Sequence, residues 1–328
     1  MVKWRAIAML AALPVGCGTF EDPDVVIDLR VLAMTADPPE QVVDVSTTTD
    51  PVMLLSQVVP STVCALVADR NYARDLRYTL TLCSPPTDDR CQPDSPHAVL
   101  AQGTLTDPDT FPRPTLCTTI KPDGNLLGVL LDYLNADQLH GIGGIYYGLD
   151  LQIGGVGEDP KDDIFAEKAL RVMPRIPDDI MANHNPTMAG LIASDPNADM
   201  TNPQPMALNA CDDPNAQKLE VTPKQKIRLT PVEPDGVRES YVAPTIDGGE
   251  EMFTESITYQ WVIGDGSLSK GDSGGGHDPF GNLEPLFTDY TAPDPADLDG
   301  PENVPVWIVV RDERLGAAWY EACIHVTP

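Results

Sequence analysis

Basic side chains are scarce in this chain: 21 Lys and Arg stand against 50 Asp and Glu, for a net charge of −29. Affinity for nucleic acid comes from Lys and Arg neutralising phosphates, so this balance excludes that class of partner. An anionic membrane surface would repel the chain for the same reason. Beyond the first 16 residues there is no apolar run of the about 20 residues that a bilayer span needs. The best stretch, Leu126-Leu-Gly-Val-Leu-Leu131, is cut by Asp132. The five histidines form no HxH or HExxH pair, and no CxxC occurs, which argues against a zinc site.

Proline, by contrast, is abundant, with 33 residues punctuating short apolar runs. That pattern favours many short strands joined by turns. Several runs alternate with a period of two, which places one set of side chains on one face of a strand. These are Leu76, Tyr78, Leu80 and Leu82; Ile145, Tyr147, Leu149, Leu151 and Ile153; and Ile257, Tyr259, Trp261 and Ile263. Residues 164–173 fit a strand, and residues 304–310 and 317–326 fit a closing hairpin. One segment has helical spacing: after Asp123 as N-cap, leucines 126, 127, 130, 131 and 134 predict a helix over 125–139. A polar loop is expected from 195 to 215.

The N-terminus carries Lys3 and Arg5, then a roughly ten-residue apolar run, then Leu13-Pro-Val-Gly16 before Cys17. This resembles a bacterial lipoprotein signal, with Pro14 where that family prefers Leu. The resemblance implies cleavage after residue 16 and lipidation of Cys17, the membrane then being held through the N-terminal lipid. Gly18 after the Cys implies the outer membrane, with the protein facing the periplasm or the cell surface. Each buried CH2 contributes roughly 0.8 kcal/mol, so several acyl chains would anchor the chain firmly.

There are seven cysteines, an odd count that lipidation of Cys17 resolves. The other six fit three disulfides of an oxidising compartment. Locality pairs Cys83 with Cys91, Cys64 with Cys117, and Cys211 with Cys323.

The segment Tyr259-Gln-Trp-Val-Ile-Gly-Asp-Gly266, followed by Val306-Trp-Ile-Val-Val-Arg-Asp312 and Gly316, resembles the core motifs of PKD-type immunoglobulin-like domains over roughly residues 218–328. Residues 264–303 read as a long Gly/Asp-rich insertion between those motifs. The opening strand of the mature part and its Asp37-Pro-Pro-Glu40 turn are similar to those of myxobacterial-type surface lipoproteins, a group that brings no known activity with it. The expected architecture is mainly β: two tandem Ig-like β-sandwich domains, the first with a short inserted helix. The divisions are a signal peptide at 1–16, a tether at 17–25, a first sandwich at 26–176 and a second at 177–328.

Three constellations bear on chemistry. Gly271-Asp-Ser-Gly-Gly275 matches the peptide around the nucleophile of chymotrypsin-like proteases, but that chemistry needs a His base beside the Ser. His97, His140 and His184 lack the expected context, and Ser273 reads as part of a glycine-rich surface loop. Asp294, Asp297, Asp299 and Glu302, or else Asp265, Asp272 and Asp278, offer hard oxygen ligands for calcium. Neither run has EF-hand spacing, and a solvated acidic loop accounts for them more simply. Trp261, Trp307, Trp319, Tyr259 and Tyr320 could line a sugar platform, although Trp261 and Trp307 sit in core-like strands and Trp319 is the aromatic most expected at the surface. The resulting expectation is a non-enzymatic, lipid-anchored binding, adhesion or assembly module with an envelope protein or glycan as partner. The alternatives are a calcium- or carbohydrate-binding lipoprotein and, remotely, a hydrolase using Ser273.

Overall fold

The computed structural model describes residues 22–69, 74–84, 91, 97–106, 115–138, 141–197, 203–245, 249–276, 282 and 284–328. The chain is mainly β. Its N-terminal half contains β1 (Arg30–Asp37), β2 (Glu40–Val43), α1 (Pro51–Leu55), β3 (Ser61–Ala68), β4 (Leu76–Cys83), β5 (His97–Leu105), β6 (Leu116–Ile120), α2 (Gly124–Ala136), β7 (Ile145–Gly155) and β8 (Ile164–Pro174). The C-terminal half contains β9 (Gly190–Ser194), β10 (Gln204–Met206), β11 (Leu219–Val221), β12 (Lys226–Val232), β13 (Ser240–Pro244), β14 (Glu250–Thr254), β15 (Ile257–Ile263), β16 (Ser267–Leu268), β17 (Asp272–Gly275), β18 (Thr288–Thr291), β19 (Glu302–Asp312) and β20 (Ala317–Val326).

In the N-terminal half, a three-stranded sheet ordered β1-β3-β6 packs on a five-stranded sheet ordered β2-β8-β7-β4-β5. Alternation explains the faces. Leu80 and Leu82 of β4, with Tyr147, Leu149 and Leu151 of β7, turn inward onto Met34, Ala36, Val63 and Ala65. The helix α2 lies over this core through Leu126, Val129 and Leu130. It starts where expected, because the Asp123 carboxylate accepts from the N–H groups of Asn125 and Leu126. It ends three residues earlier than the leucine spacing suggested, with Asp137 as C-cap.

In the C-terminal half, sheets ordered β10-β9-β12-β18-β16 and β11-β20-β19-β15-β17 enclose a second core around Tyr259, Trp261, Ile263 and Tyr290, all fully buried. The stretch 264–303 proves integral to the sheets. It contributes β17 to one and β16 and β18 to the other. The loop expected at 195–215 contains the short edge strand β10. The hairpin β13–β14 forms a two-stranded sheet of its own, with the Tyr241 and Phe253 rings stacked 5.6 Å apart.

A third apolar layer joins the halves. Val26, Leu32, Ala33, Leu66 and Ala68 pack on Val262, Trp307 and Val309. Strand β19 is therefore buried on both faces, with Val304, Val306, Ile308 and Val310 facing one core and Trp307 and Val309 facing this seam. Fully burying such side chains stabilises by roughly 1.5–3 kcal/mol each. Trp319, expected at the surface, is half-buried against the same seam. The stretch expected to be a tether is also built in at its end: Val25 joins the C-terminal core, Val26 N–H donates to the Ile263 carbonyl, and Ile263 N–H donates to the Asp24 carbonyl.

Candidate functional site

The six paired cysteines are disulfide-bonded in the expected connectivity. Cys64 and Cys117 face each other in the β3–β6 ladder with Cα atoms 4.1 Å apart. Cys83–Cys91 closes a short loop beside β4, and Cys211–Cys323 ties the segment before β11 to β20. Cys17 lies outside the described residues, as do His140 and Asp278.

Ser273 does not sit in a free glycine loop. It is the second residue of β17, directly opposite Tyr259 of β15, and is buried. Its hydroxyl accepts from the Trp261 indole N–H at 2.7 Å and donates to the Leu286 carbonyl at 2.7 Å. Both of its hydrogen-bonding roles serve the core. The following residue, Gly274, has φ +74, and a Cβ there would stand 2.7 Å from the Ile257 carbonyl oxygen. Only glycine fits that close approach of the two strands.

The acidic run at 294–302 forms a turn. The Asp294 carboxylate pairs with Lys224 at 2.5 Å and accepts from Ala296 N–H, and Asp297 N–H donates to the Asp294 carbonyl. Those contacts hold the Asp294 carboxyl below its ordinary range. Asp299 follows in the same exposed stretch, whereas Glu302 has entered β19 opposite Val326. Asp265 accepts from Gly266 N–H, and Asp272 stands in β17 opposite Gln260. Among the described residues, no group of three or more His, Cys, Asp or Glu side chains is placed to hold a metal ion. Tyr259, Trp261 and Trp307 are fully buried and present no platform; Tyr320 is half-buried, its hydroxyl accepting from Met188 N–H.

The densest polar constellation is one that local sequence patterns do not reveal. Arg314, in the β19–β20 turn, is buried with its guanidinium donating to Glu40 Oε1 at 2.8 Å, to the Met181 carbonyl at 2.9 Å and to Glu255 Oε1 at 3.3 Å. The Tyr241 ring covers it, with the guanidinium 4.6 Å from the ring centroid. The other Glu40 oxygen is held by Arg171 of β8. Asn183 adds its backbone N–H to Glu40 and its amide to Asp312 and the Arg314 carbonyl. Lys168 reaches from β8 to the Leu315 carbonyl at 2.5 Å. Glu40, Arg171 and Lys168 belong to the N-terminal half, Glu255, Asp312 and Arg314 to the C-terminal half, and Asn183 to the connection. Burial pushes the Glu255 carboxyl up to about 7, with the Asp312 charge adding to the effect. Burial also lowers the Lys168 ammonium to about 8. Two arginines alternating with carboxylates, each hydrogen-bonded, can clamp three chain segments in one geometry.

No family model matches this chain, and the search of curated proteins finds no match. Among solved structures, the transglutaminase of red sea bream aligns at 8% identity over 92% of this chain and 32% of its own, with a TM-score of 0.25. This chain thus spans about a third of the length of that protein, and a likeness of that size carries no argument about fold or activity. Among the described residues, no helix is long and apolar enough to cross a membrane.

Proposed function

We propose that this chain is a bacterial lipoprotein, anchored in the outer membrane through acylated Cys17 and acting as a non-catalytic binding, adhesion or assembly module. In this reading its two halves are tandem Ig-like sandwiches that work as one rigid body. The observation that carries it is the junction: the Trp307 seam and the Arg314–Glu40 pair fasten the halves to each other. Three disulfides suit an exported protein. The non-enzymatic part of the reading rests on Ser273, whose hydroxyl is engaged by Trp261 and Leu286.

Intact-mass analysis of the protein extracted from bacterial membranes, before and after reduction, tests the reading. The expected result is a chain beginning at Cys17 with acyl groups, and six thiols that appear only on reduction. An unacylated chain would remove the anchor on which the proposal depends.

A further inference from the structure

Helix α2 carries two apolar stripes. Leu126, Val129 and Leu130 pack into the N-terminal core. Leu127, Leu131 and Leu134, spaced by four and three residues, stand together on the adjoining side of the helix, and each is only half-buried. What faces this second stripe is α1, a helix of five residues. Between the two helices and strands β2, β7 and β8 lies a cavity of about 120 Å³. The second stripe lines it together with Leu54 and Leu55 of α1 and Val172 of β8.

The chemistry of the lining is uniform. Apart from Thr49, every lining residue is aliphatic, and none is charged or aromatic. Protein interiors hold few voids larger than a water molecule, and an apolar cavity of about 150 Å³ takes up a molecule the size of benzene. Thr49 and Pro51 are exposed and mark the mouth. Val52 and Met53, also exposed, carry apolar surface outward from it along α1. Asp50, between Thr49 and Pro51, sets a carboxylate at the mouth, where it accepts from Val52 N–H as the cap of α1.

We propose that this cavity binds the end of an alkyl chain that carries no negative head group. The terminal carbons leave water and gain dispersion contacts with the leucines of both helices. The cavity is too small for a whole lipid, so the rest of the chain runs out past Val52 and Met53. A ligand with a polar tail end is rejected, because the inner lining side chains offer that end no hydrogen bond. A carboxylate or phosphate head would meet the like charge of Asp50 as it leaves the mouth. The inference goes beyond the envelope reading and does not depend on the lipid anchor.

The full chain with Cys17→Ser, which carries no acyl group of its own, is titrated with 1-octanol, 1,8-octanediol and sodium octanoate at neutral pH while the leucine and valine methyl resonances are followed. The expected result is shifts at Leu54, Leu127 and Leu131, with octanol binding about tenfold tighter than either the diol or octanoate. Leu131→Trp, which fills the cavity from a half-buried position, lowers octanol affinity about tenfold or more, and its thermal melting checks that the chain is folded. The diol or octanoate binding as tightly as octanol, no shifts at the cavity with any of the three, or a folded Leu131→Trp chain that binds octanol undiminished would each overturn the proposal. If Leu131→Trp does not fold, the comparison of the three ligands decides alone. None of these outcomes bears on acylation at Cys17, which the mass measurement tests separately.

Discussion

Trp261 and Ser273 meet across neighbouring strands of the C-terminal sheet, the indole N–H donating to the serine hydroxyl over 2.7 Å inside the core. A serine in a protease-like Gly-Asp-Ser-Gly peptide is thus the polar partner of a buried tryptophan. Ser273→Ala leaves that indole N–H without its partner. The expected cost is about 1–3 kcal/mol of stability, read from denaturant unfolding followed by tryptophan fluorescence. A loss below a few tenths of a kcal/mol would show that Trp261 does not depend on the hydroxyl.

Arg314 bridges two buried carboxylates from different halves. Arg314→Met leaves Glu255 without its arginine partner and Glu40 with Arg171 alone, at an expected cost of about 3–5 kcal/mol. Adding Glu255→Gln to the same chain recovers part of that loss, because that uncompensated charge is gone while Glu40 keeps its pairing with Arg171. Chemical denaturation of the single and double variants reads both effects.

The carboxyls of Glu255 and Glu321 both titrate near 7 in the folded chain, chiefly because of burial. In the unfolded chain they titrate near the ordinary 4.5. Between those values the folded state holds protons that the unfolded state has released. Stability is therefore highest at the acid end of this window and falls as pH rises through it. Melting temperatures across pH 4.5–7 measure this trend, and Glu255→Gln flattens it.

Trp307 fills the seam between the halves. Trp307→Ala opens a cavity there at a cost of about 3–5 kcal/mol. If the seam couples the halves, calorimetry of the variant separates one unfolding transition into two. A single transition at lower temperature would assign the coupling to the Arg314 network instead.

The disulfides should rank by the loop each closes. Cys211 and Cys323 are 112 residues apart and Cys83 and Cys91 are 8 apart. In the chain-entropy model, replacing both partners by Ser costs about 4.8 and about 2.5 kcal/mol respectively. Unfolding midpoints of the two double variants test the order.

The strand faces could be read from the chain because alternation leaves a local mark: every second residue of Ile257, Tyr259, Trp261 and Ile263 proved fully buried. The disulfide pairing followed from separation along the chain alone. Trp307 was placed in a core, but which layer it faces was hidden, since a strand buried on both sides reads as one apolar run. Glu40 and Arg314 lie 274 positions apart, and no spacing rule connects them. The hairpin β13–β14 carries two exposed glutamates and an exposed Met252, so it shows little of the alternation that marks a half-buried strand.

The first described residues clip to the end of β15 before the chain turns away to build the other half. Tension applied at Asp22 would thus be taken up first by the backbone hydrogen bonds at Asp24 and Val26, and so by the C-terminal sheet. The N-terminal half would be mechanically shielded until that clip tears, and only then would the load reach β1.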